Sequence, residues 1–461
     1  MSTPQLPAQE LTLDIASPAA GGSSIARHDG QVVFVTGALP GERVRARTEA
    51  GPAAKFLRAE VTEVLEPSEF RVPDRRLDYP PESLRSGSQP GASPLLFGGM
   101  EYAHVELAHS RALKAEVIAD QLSRIGHLDR SVEVHPAPGE EHTGRGTDWR
   151  TRVQLAVDEQ GRLGMLAPRS HDVVPVNSAP LACPAIAEVD LSGLRLPGAQ
   201  RLEFAWAGDH GAVIVRGDCD PAAVTALTEA LPEQWSILAE TAADDEDSKR
   251  RRPGRRKSRH GQRREQQHGG PPRRELTVVR GRSVLTETVA GNDYRVGTDG
   301  FWQVHREAPE LLSGRVTAAL GGSPRSLTDL YCGVGLLGLE AARATGARLF
   351  GVEGVGPAIG HARSNAAGVD AEFLALGVEK ARIPESDVII LDPPRAGAGK
   401  AVTKSLVGST AGTIVYVSCD AGTLARDLAA LSAGGFAIES LEGFDLFPLT
   451  AHVETVTVLR R

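Results

Sequence analysis

The tightest constraint on this chain is a regular alternation that begins at Ser326. Short apolar runs rich in Val, Ile and Leu recur at residues 326–331, 347–353, 371–376, 387–391, 413–417 and 436–441, with a last one at 453–459. Helical spacing fills the intervals between them. Runs that are apolar on both sides of the pleat suit parallel strands covered on both faces. The alternation therefore predicts an α/β unit built on a doubly wound sheet, which binds ligands in the crevice beyond the carboxyl ends of its strands. The residues just after each strand are the ones to read for chemistry.

After the first strand comes D-L-Y-C-G-V-G (329–335), a glycine loop leading into a helix. Gly333 and Gly335 allow a ligand close to the backbone. The second strand ends V-E-G, which sets Glu353 about twenty residues further on, where an acid can hold a ribose diol. The loop lacks a full G-x-G-x-x-G, which favours a smaller nucleoside such as S-adenosylmethionine over a dinucleotide. Cys332 in this loop reads as a packed small residue. The fourth strand runs into L-D-P-P-R-A-G (391–397), where Asp392 either belongs to a plain turn or, with two stiffening prolines, shapes a pocket for a planar base. The fifth ends at S-C-D-A-G-T-L-A-R, so Cys419 lies at the crevice rim. Its bland alternative is a small buried residue closing a strand. Glu454 opens the last strand, either solvated or, if brought beside Cys419, a general base.

The rest of the chain reads as accessory domains. Its 461 residues suit roughly two to four domains. Residues 10–66 are short alternating strands with Gly and Pro turns, as in a small β-barrel, and Arg27, His28, Arg43, Arg45, Arg47, Lys55 and Arg58 form either a basic face toward phosphates or simply a solvated barrel surface. Residues 67–94 read as a linker, 108–125 as a helix ending at Gly126, and 149–231 as a mostly antiparallel region. Residues 244–275 carry no apolar side chain beyond proline, first acidic and then Arg-rich. That composition predicts a disordered insertion able to hold RNA through its phosphates, or a solubilising linker. Net charge is −8, so nucleic-acid binding has to come from local patches. The four cysteines, Cys183, Cys219, Cys332 and Cys419, are scattered without a C-x-x-C pair, which argues against a disulfide scaffold or structural zinc and suits a reducing compartment. With no leader-like start and no run of about 18 apolar residues, a cytoplasmic location is expected.

Taken together, these motifs resemble the S-adenosylmethionine-dependent RNA uracil-C5 methyltransferases, which make 5-methyluridine in tRNA and 23S rRNA. G-G-S-S-I-A-R-H-D-G-Q-V-V-F-V and A-L-P-G-E-R-V resemble a TRAM domain, an RNA-binding β-barrel. F-W-Q-V-H (301–305) is similar to the family's F-x-Q-x-N element, and D-L-Y-C-G-V-G, V-E-G, D-P-P-R-A-G, S-C-D-A-G-T-L-A-R-D-L and H-V-E follow in the family's order. The resemblance implies Cys419 as nucleophile and Glu454 as base. It implies that Gln303, Tyr331, Glu353 and Asp392, with the loop glycine Gly333, contact S-adenosylmethionine. It further implies a barrel over 1–67, a central mostly β domain over 68–290 with the insertion at about 243–275, and a Rossmann-like class I methyltransferase domain over 291–461. The expected partner is rRNA or tRNA, with no membrane, the chain being a monomer.

Three residues depart from the family's pattern: Asp420 and His305 stand where Asn is usual, and Leu336 where many relatives have a cofactor-contacting Asn. Many relatives also carry an iron–sulfur cluster on four cysteines. The corresponding region here has no cysteine before Cys183, so neither a cluster nor any other metal is expected. Two rival readings are a different nucleobase methyltransferase, which would not need Cys419, and a non-catalytic RNA-binding protein that keeps the fold.

Overall fold

The structure is a computed structural model that describes residues 5–52, 55–80, 96–140, 144–242 and 274–461. Its first unit is a closed five-stranded barrel of β1 (Glu10–Pro18), β2 (Ser23–His28), β3 (Gln31–Thr36), β4 (Arg43–Thr48) and β5 (Phe56–Glu66), in the order β1-β2-β3-β5-β4. Strand alternation turns Leu11, Leu13, Ile15, Val33, Val35, Val44 and Ala46 inward to form its core. The expected basic face is largely neutralised. Arg43 lies 3.7 Å from Glu66 and 3.8 Å from Asp14, Arg47 lies 3.1 Å from Glu10, and Arg45 pairs with Glu63. The reason is geometric: β4 runs between two strands that present acids on the same outer face. Arg58 is different, because its guanidinium lies over the Phe56 ring at 5.2 Å.

A buried ion pair ties the barrel to the residues after it. Glu42, fully enclosed, accepts from Arg71 Nε at 2.6 Å and Nη2 at 2.7 Å, and also from the backbone N–H of Leu39 and Ser68. Burial alone would raise this carboxyl. The Arg71 and backbone bonds outweigh it and hold Glu42 below the usual carboxylate range.

Next comes α1 (Leu107–Gly126), followed by the short β6 (Val134–Pro136). Gly126 does not provide the left-handed cap. His127 does, with φ 51, while Gly126 is where α1 passes so close to another helix that a Cβ would sit 2.9 Å from Ala425 O.

The central sheet has seven strands, β7 (Arg152–Val157), β8 (Leu163–Leu166), β9 (Val173–Pro175), β10 (Ala199–Ala207), β11 (His210–Gly217), β12 (Trp235–Ala242) and β13 (Arg274–Arg280), in the order β9-β8-β7-β10-β11-β12-β13. All neighbours are antiparallel except β11 and β12. Residues 243–273, most of the expected insertion, lie outside the described residues. Arg274 and Glu275 begin β13 instead, and Ala242 and Arg274 are register partners. Part of the expected linker, 81–95, also lies outside the described residues.

The C-terminal sheet follows a hairpin of β14 (Val284–Val289) and β15 (Asn292–Gly297) and the helix α2 (Ala308–Ala319). It contains β16 (Ser326–Leu330), α3 (Leu336–Thr345), β17 (Arg348–Glu353), α4 (Gly356–Asn365), β18 (Ala371–Ala375), β19 (Val388–Leu391), α5 (Gly399–Val407), β20 (Thr413–Ser418), α6 (Ala421–Ala433), β21 (Ala437–Asp445) and β22 (Glu454–Arg460). The order is β18-β17-β16-β19-β20-β22-β21-β6. The first five strands are parallel and β22 runs antiparallel to both its neighbours, so the doubly wound expectation holds for five strands and the far edge is mixed. The strand order reverses between β16 and β19, the switch point at which such sheets open a crevice.

Successive residues of β19 and β20 feed two cores: Ile390, Val415 and Val417 on one side, Ile389, Ile414 and Tyr416 on the other. The second core includes Ile118 and Leu122 of α1 and Val134 of β6. The first includes Val289, Tyr294 and Val296 of the hairpin. Packing therefore joins α1 and β6, expected in a central domain over 68–290, to the C-terminal sheet, while the hairpin bridges the two units, its Leu285 packing on Ala205, Ile214 and Leu238 of the central sheet. Lys114 of α1 reinforces this by ion-pairing, fully buried, with Asp445 at the end of β21. Among the described residues no helix is long and apolar enough to cross a membrane.

Candidate active site

The carboxyl ends of β16, β17, β19 and β20 gather the residues singled out in the sequence. Cys419 follows β20, and Glu454 opens the antiparallel β22. The last register pair of that ladder is Ser418 with Thr455, and Thr455 Oγ1 donates to Ser418 O at 2.9 Å, so Cys419 and Glu454 come next to each other one step beyond it. Glu454 is 4 % exposed and its Oε1 has no hydrogen-bond partner. Burial, and then the charge of Asp392, push its carboxyl well above the usual range. The Cys419 thiol is pushed up to about 12 by burial, then by Glu454 and Asp392, with Arg395 acting in the opposite sense.

Asp392 caps β19, and Gln303, from the segment between β15 and α2, donates to it through Nε2 at 3.1 Å. Burial pushes Asp392 up to about 7 despite that bond. The D-P-P-R-A-G loop is clamped by α6: Thr423 Oγ1 donates to Arg395 O at 3.1 Å, Arg426 to Ala396 O at 2.9 Å, and Asp427 accepts from Ala398 N at 2.7 Å and from Tyr416 OH at 2.9 Å. Gly397, at φ +76, sits where a Cβ would meet Arg426, Asp427 and Thr423 within 2.9 Å. Thus the helix after the cysteine holds the loop after Asp392.

On the other side of the switch point, Tyr331 takes φ 63 and Gly333 φ 54, and Gly335, at φ 94, starts α3 without a side-chain cap. Glu353 is the brace of this loop: Oε2 accepts from Gly333 N at 3.3 Å and Oε1 from Val355 N at 2.8 Å. The cradle fits an adenosyl ligand, with left-handed backbone bare of bulk next to an acid that the backbone already orients. Burial raises the Tyr331 phenol to about 12. Cys332 is buried in the core, as expected of a packed residue.

The three departures have local explanations. Asp420 is the N-cap of α6, its Oδ1 accepting from Thr423 N at 2.8 Å and Thr423 Oγ1 at 3.0 Å. His305 is buried and stacked on Trp149 with centroids 5.5 Å apart, its Nδ1 accepts from Glu307 N at 3.1 Å, and burial drives it down to about 3. It anchors the Gln303 segment as a neutral ring. Leu336 turns into the core from the first position of α3 and offers a ligand no polar group.

Two features were not read from the sequence. Asp329, fully buried in β16 and pushed up to about 8, accepts from Gly338 N at 2.9 Å and so fixes the first turn of α3. Arg395 Nη2 and His452 Nε2 lie 3.0 Å apart beside Cys419. They are 57 residues apart in the chain, so no local pattern announces the pair.

Comparison with known proteins identifies the family. Residues 372–461 match the family model for tRNA (uracil-5-)-methyltransferase, and residues 4–62 match the TRAM domain. An RNA methyltransferase of Streptomyces avermitilis is 36% identical over 98% of both chains, and one of Bifidobacterium longum is 32% identical over 95% of this chain and 94% of its own. In fold, the chain is similar to the tRNA (uracil-54, C5)-methyltransferase of Pyrococcus abyssi, solved in complex with S-adenosyl-L-homocysteine. The TM-score is 0.67 at 21% identity over 97% of this chain and all of that one. The chain belongs to the tRNA (uracil-5-)-methyltransferase family of S-adenosylmethionine-dependent RNA methyltransferases.

Proposed function

We propose that this protein methylates C5 of a uridine in tRNA or rRNA through a covalent bond between Cys419 and uracil C6. It would act as a cytoplasmic monomer. The observation that carries the reading is the pairing of Cys419 with Glu454, a buried carboxyl with an uncommitted oxygen, at the rim of a class I methyltransferase sheet. Uracil C5 is a poor nucleophile until a thiolate adds to C6 and shifts the electron pair toward O4 and C5. The positive charge of Arg395 favours that thiolate. S-adenosylmethionine, when bound, supplies an electrophilic methyl on a sulfonium. Gln303, Tyr331, Gly333, Glu353 and Asp392 are the residues proposed to hold it, Glu353 at the ribose diol and Asp392 with its Gln303 partner at the reacting end. Once C5 carries the methyl, Glu454 takes the C5 proton and the returning electron pair expels Cys419.

The test is trapping with tRNA and 23S rRNA transcripts containing 5-fluorouridine. Fluorine cannot leave C5 as a proton does, so wild type should accumulate a denaturant-stable adduct that Cys419→Ala does not form. Methyl transfer that survives in Cys419→Ala would instead favour a different nucleobase chemistry. RNA binding without transfer to either RNA would favour a non-catalytic role.

A further inference from the structure

Cys419 borders a cavity of about 130 Å³ that none of Gln303, Tyr331, Gly333, Glu353 and Asp392 lines. Three separate parts of the chain wall it: Ala20 and Gly21 from the β1–β2 turn of the barrel, Gln121 from α1, and Cys419, Asp420 and His452 from the catalytic sheet. Cavities of about this volume hold one six-membered ring. The barrel turn is seated firmly. Ala19 N donates to Ser23 O at 2.7 Å, and a Cβ on Gly22 would lie 2.4 Å from Glu101 Cβ and 3.1 Å from Ala451 Cβ.

Neither Glu454, Asp392 nor Gln303 lines this space. The reacting uracil must present C5 to Glu454, so it occupies the other side of Cys419. A phosphate does not suit the cavity either, because its one lysine, Lys114, is committed to Asp445, and Asp420 adds a carboxylate to the wall. A flat, uncharged group suits it. Gln121 supplies an amide that can donate and accept, with Oε1 3.3 Å from the place a Gly422 Cβ would take.

We propose that this cavity receives the base of a nucleotide flanking the target uridine, so that the barrel turn and Gln121 read sequence context at the reaction centre. The inference rests on the uridine methylation proposed above. It gives the barrel a role beyond holding RNA nearby: the barrel completes a pocket that the catalytic unit alone leaves open. One covalent bond fixes the target and one pocket fixes its neighbour, which together set the register of the RNA strand.

The test uses the full chain with the same transcripts. Ala20 is exposed, so Ala20→Phe fills the cavity from the barrel side without disturbing the core, and an unchanged melting temperature verifies folding. Its KM for RNA should rise by about tenfold or more, the size expected for one lost stacking contact, while affinity for S-adenosylmethionine stays the same. Gln121→Leu should change which flanking base is tolerated. Ultraviolet crosslinking of the trapped wild-type adduct should join a flanking nucleotide to the 19–22 turn or to α1. An adduct whose crosslinks map elsewhere, or an unchanged KM in Ala20→Phe, overturns the inference while leaving the reaction standing. Absence of any wild-type adduct overturns the covalent mechanism, and the inference with it.

Discussion

Gln303 Nε2 donates to Asp392 Oδ2 at 3.1 Å, and this bond joins the segment before α2 to the end of β19. Burial nevertheless keeps that carboxyl up to about 7. Below this value Asp392 is neutral and above it charged, and a cationic sulfonium ligand binds the charged form better. Affinity for S-adenosylmethionine should therefore level off above about pH 7. It should weaken by up to about tenfold for each pH unit below that. Calorimetric titration across this range checks it, and Asp392→Asn should bind weakly with no pH dependence. A flat wild-type profile would remove Asp392 from the cofactor site.

The two halves of the reaction should separate by mutation. Cys419→Ala should lose transfer by at least about a thousandfold and form no adduct. Glu454→Gln should still let Cys419 add and C5 take the methyl, but leave the C5 proton in place. It should therefore accumulate a methylated covalent complex with ordinary RNA, visible as a shifted band on a denaturing gel. No such band from Glu454→Gln would mean that another group removes the proton.

Breaking the pair between Glu42 and Arg71 strands a buried charge. Arg71→Leu should destabilise the barrel by roughly 3 kcal/mol. Glu42 is held below the ordinary carboxylate range in the folded state, so its stabilisation is present at neutral pH. It is lost as pH falls through the folded value. Urea melts at neutral and acidic pH should show Arg71→Leu approaching wild type as acid protonates Glu42. A gap that stays constant with pH would place the effect in packing alone.

Asp420 caps α6, and aspartate and asparagine cap about equally well. Asp420→Asn should change stability by only a few tenths of a kcal/mol, and Asp420→Ala should cost about 1 kcal/mol. Because α6 also clamps the D-P-P-R-A-G loop, the alanine variant should raise KM for both substrates. Thermal melts paired with steady-state kinetics test this, and a silent Asp420→Ala would show that the Thr423, Arg426 and Asp427 clamps hold the loop unaided.

The catalytic sheet was legible because strands buried on both faces carry unbroken apolar runs, and because the motifs of Tyr331, Glu353, Asp392 and Cys419 sit at the carboxyl ends of such runs. What could not be read was partnership across distance. The stripe of Leu113, Val117, Ile118 and Leu122 says that α1 buries one face. It does not say that the face covers the catalytic sheet, and Lys114 with Asp445, 331 residues apart, leaves no local trace. The helix does end at Gly126, as a glycine there suggests, but the left-handed turn falls one residue later, on His127, and the glycine also gives clearance for Ala425. The arginines of β4 looked free because their acidic neighbours come from strands distant in sequence.

Ala242 and Arg274 face each other across neighbouring strands. A segment joining two such points only has to close a loop, and each doubling of its length adds only about 0.6 kcal/mol to that cost. The sheet thus places almost no tariff on how long the excursion grows or what composition it acquires. A change in length or charge between those two points therefore need not move any strand of the sheet.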